Sequence, residues 1–306
     1  MSDTNKIILN LINENKSMKE ICSILNISEK QLYVRIKQII NQGYQIKTNC
    51  IYDFDINYTL LKTRKAEDYN IMNIGLEKDV DIFKCLAVSD IHVGNIDSNI
   101  NYLNTVYDFA NREGIHYILN CGDIIEGDYT TSKKSIPSTM EQLEYLLKKH
   151  PYDKNILNLL VLGNHEFYSL KKDGLDIAKK ISNSRYDIIP INYGQGNIRL
   201  KKDSIALFHK LTDSSKPNLD LNQRIILSGH GHMMKTKVKD EVTIACPTLS
   251  KVSTDSSTDV IPSFIYLIIY FEKDKIEYVE AKQFAILDKT YKVSESKCKV
   301  KLLNKK

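Results

Sequence analysis

The stretch NLLVLGNHEFY, Asn158 to Tyr168, joins an apolar run directly to three polar residues of different chemistry. The run is short, continuous and unbroken by charge, which reads as a buried strand. Gly163 ends it, and an amide, an imidazole and a carboxylate follow at Asn164, His165 and Glu166. Gly-Asn alone would make the turn that a strand end needs. Taken alone the stretch is a turn, and why it carries three such groups in a row is answered only by the other strand ends.

Working outward, the same pattern recurs on both sides. IFKCLAVSD and IHYILNCGD are apolar strands, and SNINYLNTVYDFANREG and STMEQLEYLLKKHP are amphipathic helices between them. Strands alternating with helices predict β-α-β units and a central sheet. Further on, IRLKKDSIALFHK, QRIILSGHG, KTKVKDEVTIAC and SFIYLIIYFEKDKIEYVEAKQF read as strands, the last two as hairpins. An α/β first half and a β-rich second half predict two packed sheets with helices outside.

The chain has 306 residues, enough for two unequal domains. No basic-then-apolar leader and no run of about 18 apolar residues occurs, so the expectation is a cytoplasmic protein with no membrane contact. Six cysteines are scattered without a C-x-x-C pair, which argues for free thiols and against a zinc knuckle. The net charge of +5 is uneven. Residues 1–65 carry +4 and residues 289–306 carry +6, leaving −5 for the acidic middle. Basic ends suit a polyanion. The domains expected are a helical module over 1–65, a linker over 66–80, a catalytic domain over 81–285 and a basic, frayed tail over 286–306. A homo-oligomer is left open.

In the first fifty residues Ile7, Ile8, Leu11 and Ile12 share one helical face. Ser17-x-x-Glu20 and Ser28-x-x-Gln31 are capping-box patterns, so two helices start about eleven residues apart across the turn Asn26-Ile27. Leu32, Ile36, Ile39 and Ile40 form the second helix's inward stripe, and Gly43 ends it. This pattern resembles the helix-turn-helix family, with a wing hairpin after it. The resemblance implies that Lys30, Gln31, Tyr33, Arg35 and Lys37 on the recognition helix meet nucleic acid. The alternative is a helical adaptor that binds protein.

Polar residues gather at five strand ends: Asp90 and His92, Asp123, Asn164 and His165, His209, and His230 and His232. Five of the chain's seven histidines lie there. In open α/β sheets such ends converge on a ligand crevice. A lone histidine at a strand end is usually structural; five together point to a site. Imidazole, carboxylate and amide oxygen form a mixed N/O set for borderline divalent ions. Gly122, Gly163, Gly229 and Gly231 adjoin the candidates and allow close approach of the backbone. His116 and His150 read as structural, and Cys121 as core.

The ordered set D-x-H, G-D, G-N-H-E, H, G-x-H resembles the calcineurin-like metallophosphoesterases over residues 81–285. The resemblance implies a four-layer α-β-β-α sandwich and two divalent ions, manganese first, with iron, zinc or nickel as alternatives. It implies that Asp90, His92, Asp123 and His232 hold one ion, and that Asn164, His209 and His230 hold the other, with Asp123 bridging. His165 then serves the leaving group, and a hydroxide shared by the ions attacks phosphorus. Two ions less two carboxylates leave about +2, which suits a phosphoryl anion. Glu126 is a candidate to orient a ligand histidine from behind, with a solvated loop charge as the alternative, and Glu166 fits such a supporting place better than a catalytic one. Lys133 and Lys134 are candidates for substrate phosphates, and Asn95 and Tyr168 for the cleft wall.

The reading is a phosphodiesterase acting on nucleic acid, nuclease-like. One alternative is a small-nucleotide phosphodiesterase or phosphomonoesterase whose helical module regulates or dimerises. Another is a non-enzymatic DNA-binding regulator, against which stands the completeness of the motifs.

Overall fold

The computed structural model describes residues 3–42, 44, 46–51, 55–60, 71–128, 133–210, 222–252, 260–287, 290–292 and 298–301. Gly43, the residues after the second wing strand, residues 66–70 of the expected linker and Thr130 to Ser132 lie outside them.

The N-terminal helices form where their caps predict. Helix α1 (Asp3–Asn13) is followed by α2 (Met18–Leu25) and α3 (Glu29–Asn41). Ser17 Oγ accepts the Glu20 N–H at 3.2 Å, and Glu20 returns a carboxylate to the Ser17 N–H at 2.8 Å. Ser28 and Gln31 repeat this at 3.2 and 2.8 Å. Each box satisfies two backbone donors that a helix start leaves open. Asn26 takes the left-handed conformation, φ 50°, that turns the chain from α2 to α3.

Two eight-stranded sheets follow. In the first, β4 (Ile82–Val88), β5 (Tyr117–Asn120), β6 (Leu157–Leu162) and β7 (Ile188–Tyr193) run parallel. The antiparallel hairpin β13 (Ser263–Glu272) and β14 (Lys275–Leu287) pairs alongside β4. Helices α4 (Asn101–Glu113), α5 (Thr139–Lys149), α6 (Asn164–Asp173) and α7 (Ile177–Ser184) fill the parallel connections. Alternation along β4 divides its faces. Leu86 and Val88 pack with Leu103, Val106 and Phe109 of α4, whereas Cys85 and Ala87 face the second sheet.

The second sheet has the order β11 (Lys235–Val238), β12 (Val242–Ala245), β10 (Gln223–Ser228), β9 (Asp203–Phe208), β8 (Gln195–Leu200), β3 (Ile71–Gly75), β1 (Ile46–Ile51), β2 (Asp55–Leu60). Two sequence expectations change here. The expected linker contains β3, whose Met72 and Ile74 are buried and which joins β1 to β8. The expected wing, β1 and β2, is therefore the end of the main sheet. Its Ile56 and Tyr58 belong to the same apolar cluster as Ile8, Ile21 and Leu32 of the helices and Ile198 and Leu207 of the sheet.

The expected tail also carries structure: β15 (Thr290–Lys292) and β16 (Cys298–Lys301) both pair with β14. Strand β14, thirteen residues long, is long enough to accept both on one edge. The outer face of the second sheet shows only a small cluster of Ala206, Phe208 and Ile226. Among the described residues α4, α5 and α7 pack on the first sheet, the two sheets share the main core, and α1–α3 join that core at the β2 end of the second sheet. No helix is long and apolar enough to cross a membrane. Cys22, Cys85, Cys121 and Cys246 are free thiols, with Cys121 and Cys246 sulfurs 3.8 Å apart in the core.

Candidate metal centre

The parallel strands β4, β5 and β6 end side by side, and β9 and β10 end opposite them. Their last residues carry the five motifs to one place. Asp90, His92 and His232 form one group whose ligand atoms lie within 4.8 Å of one another, and Asp123, His209 and His230 form another. Asn164, the first residue of α6, presents its amide oxygen 2.8 Å from His209 Nε2. All seven sequence-predicted ligands are therefore brought together.

The imidazoles are oriented from behind. His209 Nδ1 lies 2.9 Å from the Cys121 carbonyl oxygen, and His232 Nδ1 lies 2.6 Å from that of Val252. A carbonyl only accepts, so Nδ1 carries a proton and Nε2 is the atom turned toward the centre. His92 Nδ1 faces Glu126 Oε2 at 2.9 Å in the same way. The outcome is two basic nitrogens, His92 Nε2 and His232 Nε2, only 3.4 Å apart, with Asp90 Oδ1 3.4 Å from the second. Nitrogens and a carboxylate oxygen this close share either a proton or a metal ion, since an N–H on one ring can bridge to the other and a divalent ion can replace it. The donor set therefore fits a divalent ion, and an outer ring of acceptors behind ligating histidines is the usual way such sites are held.

The backbone is bent to achieve this. Asp90, His92, Asp123, His230 and His232 all have φ between 51° and 65°. Non-glycine residues rarely adopt that region, and where they do the conformation stores strain. Gly163 is required by close approach: a Cβ there would sit 2.0 Å from Asp123 Oδ1. Gly122, at φ 100°, lets the chain pass under His209.

Burial sharpens the electrostatics. It pushes Asp90 up, but the hydrogen bond with His232 and the charges of His209 and His232 outweigh it, leaving the carboxyl below its ordinary range. Burial likewise opposes, and His209 overcomes, at Asp123, which is held well below that range. His209 is raised to about 9, its burial outweighed by Asp123 at 3.0 Å. His230 is lowered by burial, then by the charges of His209 and Lys210.

Glu166, the least explained residue of the opening stretch, has a clear place. It is fully buried and accepts backbone N–H groups from Gly163 at 2.7 Å, Asp123 at 3.2 Å and Ile125 at 3.0 Å. It thereby ties the loop after β5 to the start of α6. Burial, then the neighbouring Asp123 charge, lifts it to about 7. His165 makes a different use of the same turn. Its N–H donates to Asp123 Oδ1 at 3.0 Å, and its Nδ1 meets the Glu126 carbonyl at 2.5 Å. Its Nε2 stands 3.7 Å from Asp123 Oδ2. Its side chain is 13% exposed against 2% for Asp123, so it faces outward more than the carboxylate beside it.

Sequence reasoning missed Thr248, whose buried hydroxyl donates to the Asp90 carbonyl at 2.6 Å and contacts Ser250 at 2.7 Å. The signal was CPTLS directly after an apolar strand. It also missed Phe167, Tyr193 and Lys210, which with Asn164 and His209 line a cavity of about 220 Å³ beside the centre. Lys134 is paired with Asp128 at 2.6 Å. Asn95 spends its side-chain oxygen on the Asp97 N–H at 2.9 Å. His116 and His150 bond carbonyls of Asn155 and Pro151.

The five helix α3 residues divide. Tyr33 donates its hydroxyl to the Arg185 carbonyl at 3.2 Å, and Lys37 lies over the Tyr33 ring at 5.2 Å, so both turn toward the α7–β7 corner. Helical spacing of four places them on the flank that meets the rest of the molecule. Arg35 reaches Asn5 at 3.3 Å, and Gln31 closes its capping box. Lys30, Gln31, Val34, Arg35 and Gln38 line an open groove of about 510 Å³.

Two packed sheets with a histidine- and aspartate-rich cluster at their strand ends define a metallophosphoesterase class of protein. The chain belongs to the calcineurin-like phosphoesterase family, whose model matches residues 83–244, more than half of its length. It is 25% identical over 125 residues to an uncharacterized metallophosphoesterase of Campylobacter jejuni; the match covers 41% of this chain and 30% of that relative. Similar solved structures include vacuolar protein sorting 29 of Cryptosporidium parvum, 15% identical with a TM-score of 0.43 over 72% of this chain and 99% of that one. Another is a phosphoesterase of Escherichia coli, 15% identical with a TM-score of 0.41 over 63% and 96%.

Proposed function

We propose that the protein is a phosphodiesterase with a dinuclear metal centre, acting on nucleic acid. The observation that carries the hydrolase reading is the convergence of imidazole Nε2 atoms, two carboxylates and an amide oxygen on one small volume. Asp90, His92, Asp123 and His232 would hold one ion, and Asp123, Asn164, His209 and His230 the other. Divalent ions there supply Lewis-acid polarisation of a phosphoryl oxygen and a more acidic water.

The chain's own groups do the rest. Asn164 contributes a neutral oxygen where a third carboxylate would repel the substrate. His165 Nδ1 is held by the Glu126 carbonyl, so Nε2 can donate a proton to a leaving oxygen only as imidazolium; an Asp123 oxygen 3.7 Å away faces that cation. Nucleic acid as substrate is supported by the +4 charge of residues 1–65 and by the groove along α3 with Lys30 and Arg35.

The test is hydrolysis of bis-p-nitrophenyl phosphate against p-nitrophenyl phosphate, and of single-stranded against duplex DNA and RNA, with manganese supplied. Diester and nucleic-acid cleavage is expected. Monoester turnover alone would instead support a small phosphomonoesterase with α1–α3 as a regulatory part, a reading the Tyr33–Arg185 contact favours. No turnover of any substrate would sink the hydrolase reading.

A further inference from the structure

The cavity beside the centre has a composition that the phosphoryl chemistry does not use. Phe167 and Tyr193 line it at a ring separation of 5.9 Å and an interplanar angle of 51°. Both rings are set in place from outside. Tyr193 donates its hydroxyl to Asp176 at 3.1 Å and accepts the Ala178 N–H at 3.4 Å, so its far end is fastened to the start of α7. Lys171 lies over the Phe167 ring at 4.5 Å. Phe167 is nevertheless 41% exposed, a large apolar group left open one helical turn from Asn164. Gly194 follows Tyr193 at φ 78°, and a Cβ there would meet nothing within 4 Å, so the wall beyond the ring is open. Lys210 and His209 complete the lining.

We infer that this cavity is a subsite for one unstacked nucleobase, held against Phe167 and Tyr193 while its phosphate lies at Asn164 and His209. The inference rests on the nucleic-acid reading above and narrows it. A volume of about 220 Å³ accepts a single planar heterocycle and its sugar, and no stacked base pair. Aromatic faces hold a base through stacking, which is tolerant of sequence because every base has a π-face. Lys210 brings a positive charge to the phosphate side. A base inside a duplex cannot enter, so the substrate class is single-stranded: a loose strand, a frayed end or a short oligonucleotide.

The experiment is calorimetric titration of the manganese-loaded protein with thymidine 5′-monophosphate and with 2-deoxyribose 5-phosphate, which differ only by the base. The nucleotide should bind about tenfold more tightly, in the range expected for one stacked base. Phe167→Ala should abolish that ratio and leave the base-free ligand unchanged, while Phe167→Tyr retains it. Equal affinities in the unaltered protein, no binding of either ligand, or a ratio untouched by Phe167→Ala would overturn the subsite. A base-dependent ratio in a protein that hydrolyses no phosphoester would sink the hydrolase reading and leave the subsite standing.

Discussion

At the scale of the residue, neighbours in sequence do unlike work. Asn164 points at His209, His165 faces outward, and Glu166 turns back to clamp three backbone donors. His165→Ala should therefore lose about 10²–10⁴-fold in turnover, the usual worth of one positioned proton donor. Its metal content should stay unchanged, because the four imidazoles of the two groups, His92, His209, His230 and His232, stand without it. Metal analysis beside kinetics checks this, and a missing ion would show that His165 is a ligand. Glu126 Oε2 lies 2.9 Å from His92 Nδ1. Glu126→Gln should weaken metal affinity about 10–100-fold, the cost of losing a partner behind a ligating histidine; a metal titration followed by calorimetry reads it. That these residues converge was legible in the sequence, because polar side chains at five strand ends stand out against the apolar runs before them. The left-handed backbone at Asp90, His92, Asp123, His230 and His232 was not, since all five are residues whose type does not announce positive φ. Thr248 had only the weak signal of its place after a strand, being an ordinary hydroxyl until the fold sets it under Asp90.

At the scale of the element, capping boxes and strand alternation were readable because they are local. What escaped were elements whose support is distant. Strand β3 is five residues with little pattern of its own, and it forms because β1 and β8 stand on either side. Strand β7 was passed over as IIPINY, a run broken by proline, and is held by β6 in parallel register. His150, at the C-terminal end of α5, shows how such junctions respond to pH. Its ring meets the Tyr107 ring edge-on at 5.7 Å, and burial, with the Arg185 charge adding to it, pushes its pKa down to about 4. The unfolded chain protonates the same imidazole near its ordinary 6.5, so below that pH the unfolded state binds the extra proton. Stability from this group is complete above pH 6.5 and is lost as pH falls toward 4, on the order of 3 kcal/mol in all. Urea midpoints measured between pH 7.5 and 4.5 should fall less steeply for His150→Gln than for the unaltered protein. Parallel slopes would show that the imidazole titrates equally in both states.

At the scale of the whole molecule, the N-terminal helices are part of the main core. Ile8, Ile21 and Leu32 join a cluster that runs through Ile56 and Met72 to Ile198 and Leu207. The sheet passes without interruption from β8 through β3 to β1 and β2. A module on a flexible tether would melt by itself; a shared core and a shared ladder couple the two regions into one cooperative unit. Thermal unfolding should therefore show a single transition, with helix loss and tyrosine exposure at the same midpoint. Metal supplies the second handle. Ions that bound only the folded arrangement of the converging side chains would stabilise by mass action, by about 2.7 kcal/mol at a hundredfold excess over the dissociation constant. Chelation should lower that one midpoint. Because α1–α3 share the core, the helical signal should shift with the rest. A helical transition that stayed in place while the sheet melted earlier would mean that the apolar cluster does not couple the two, and that residues 1–65 behave as an independent domain.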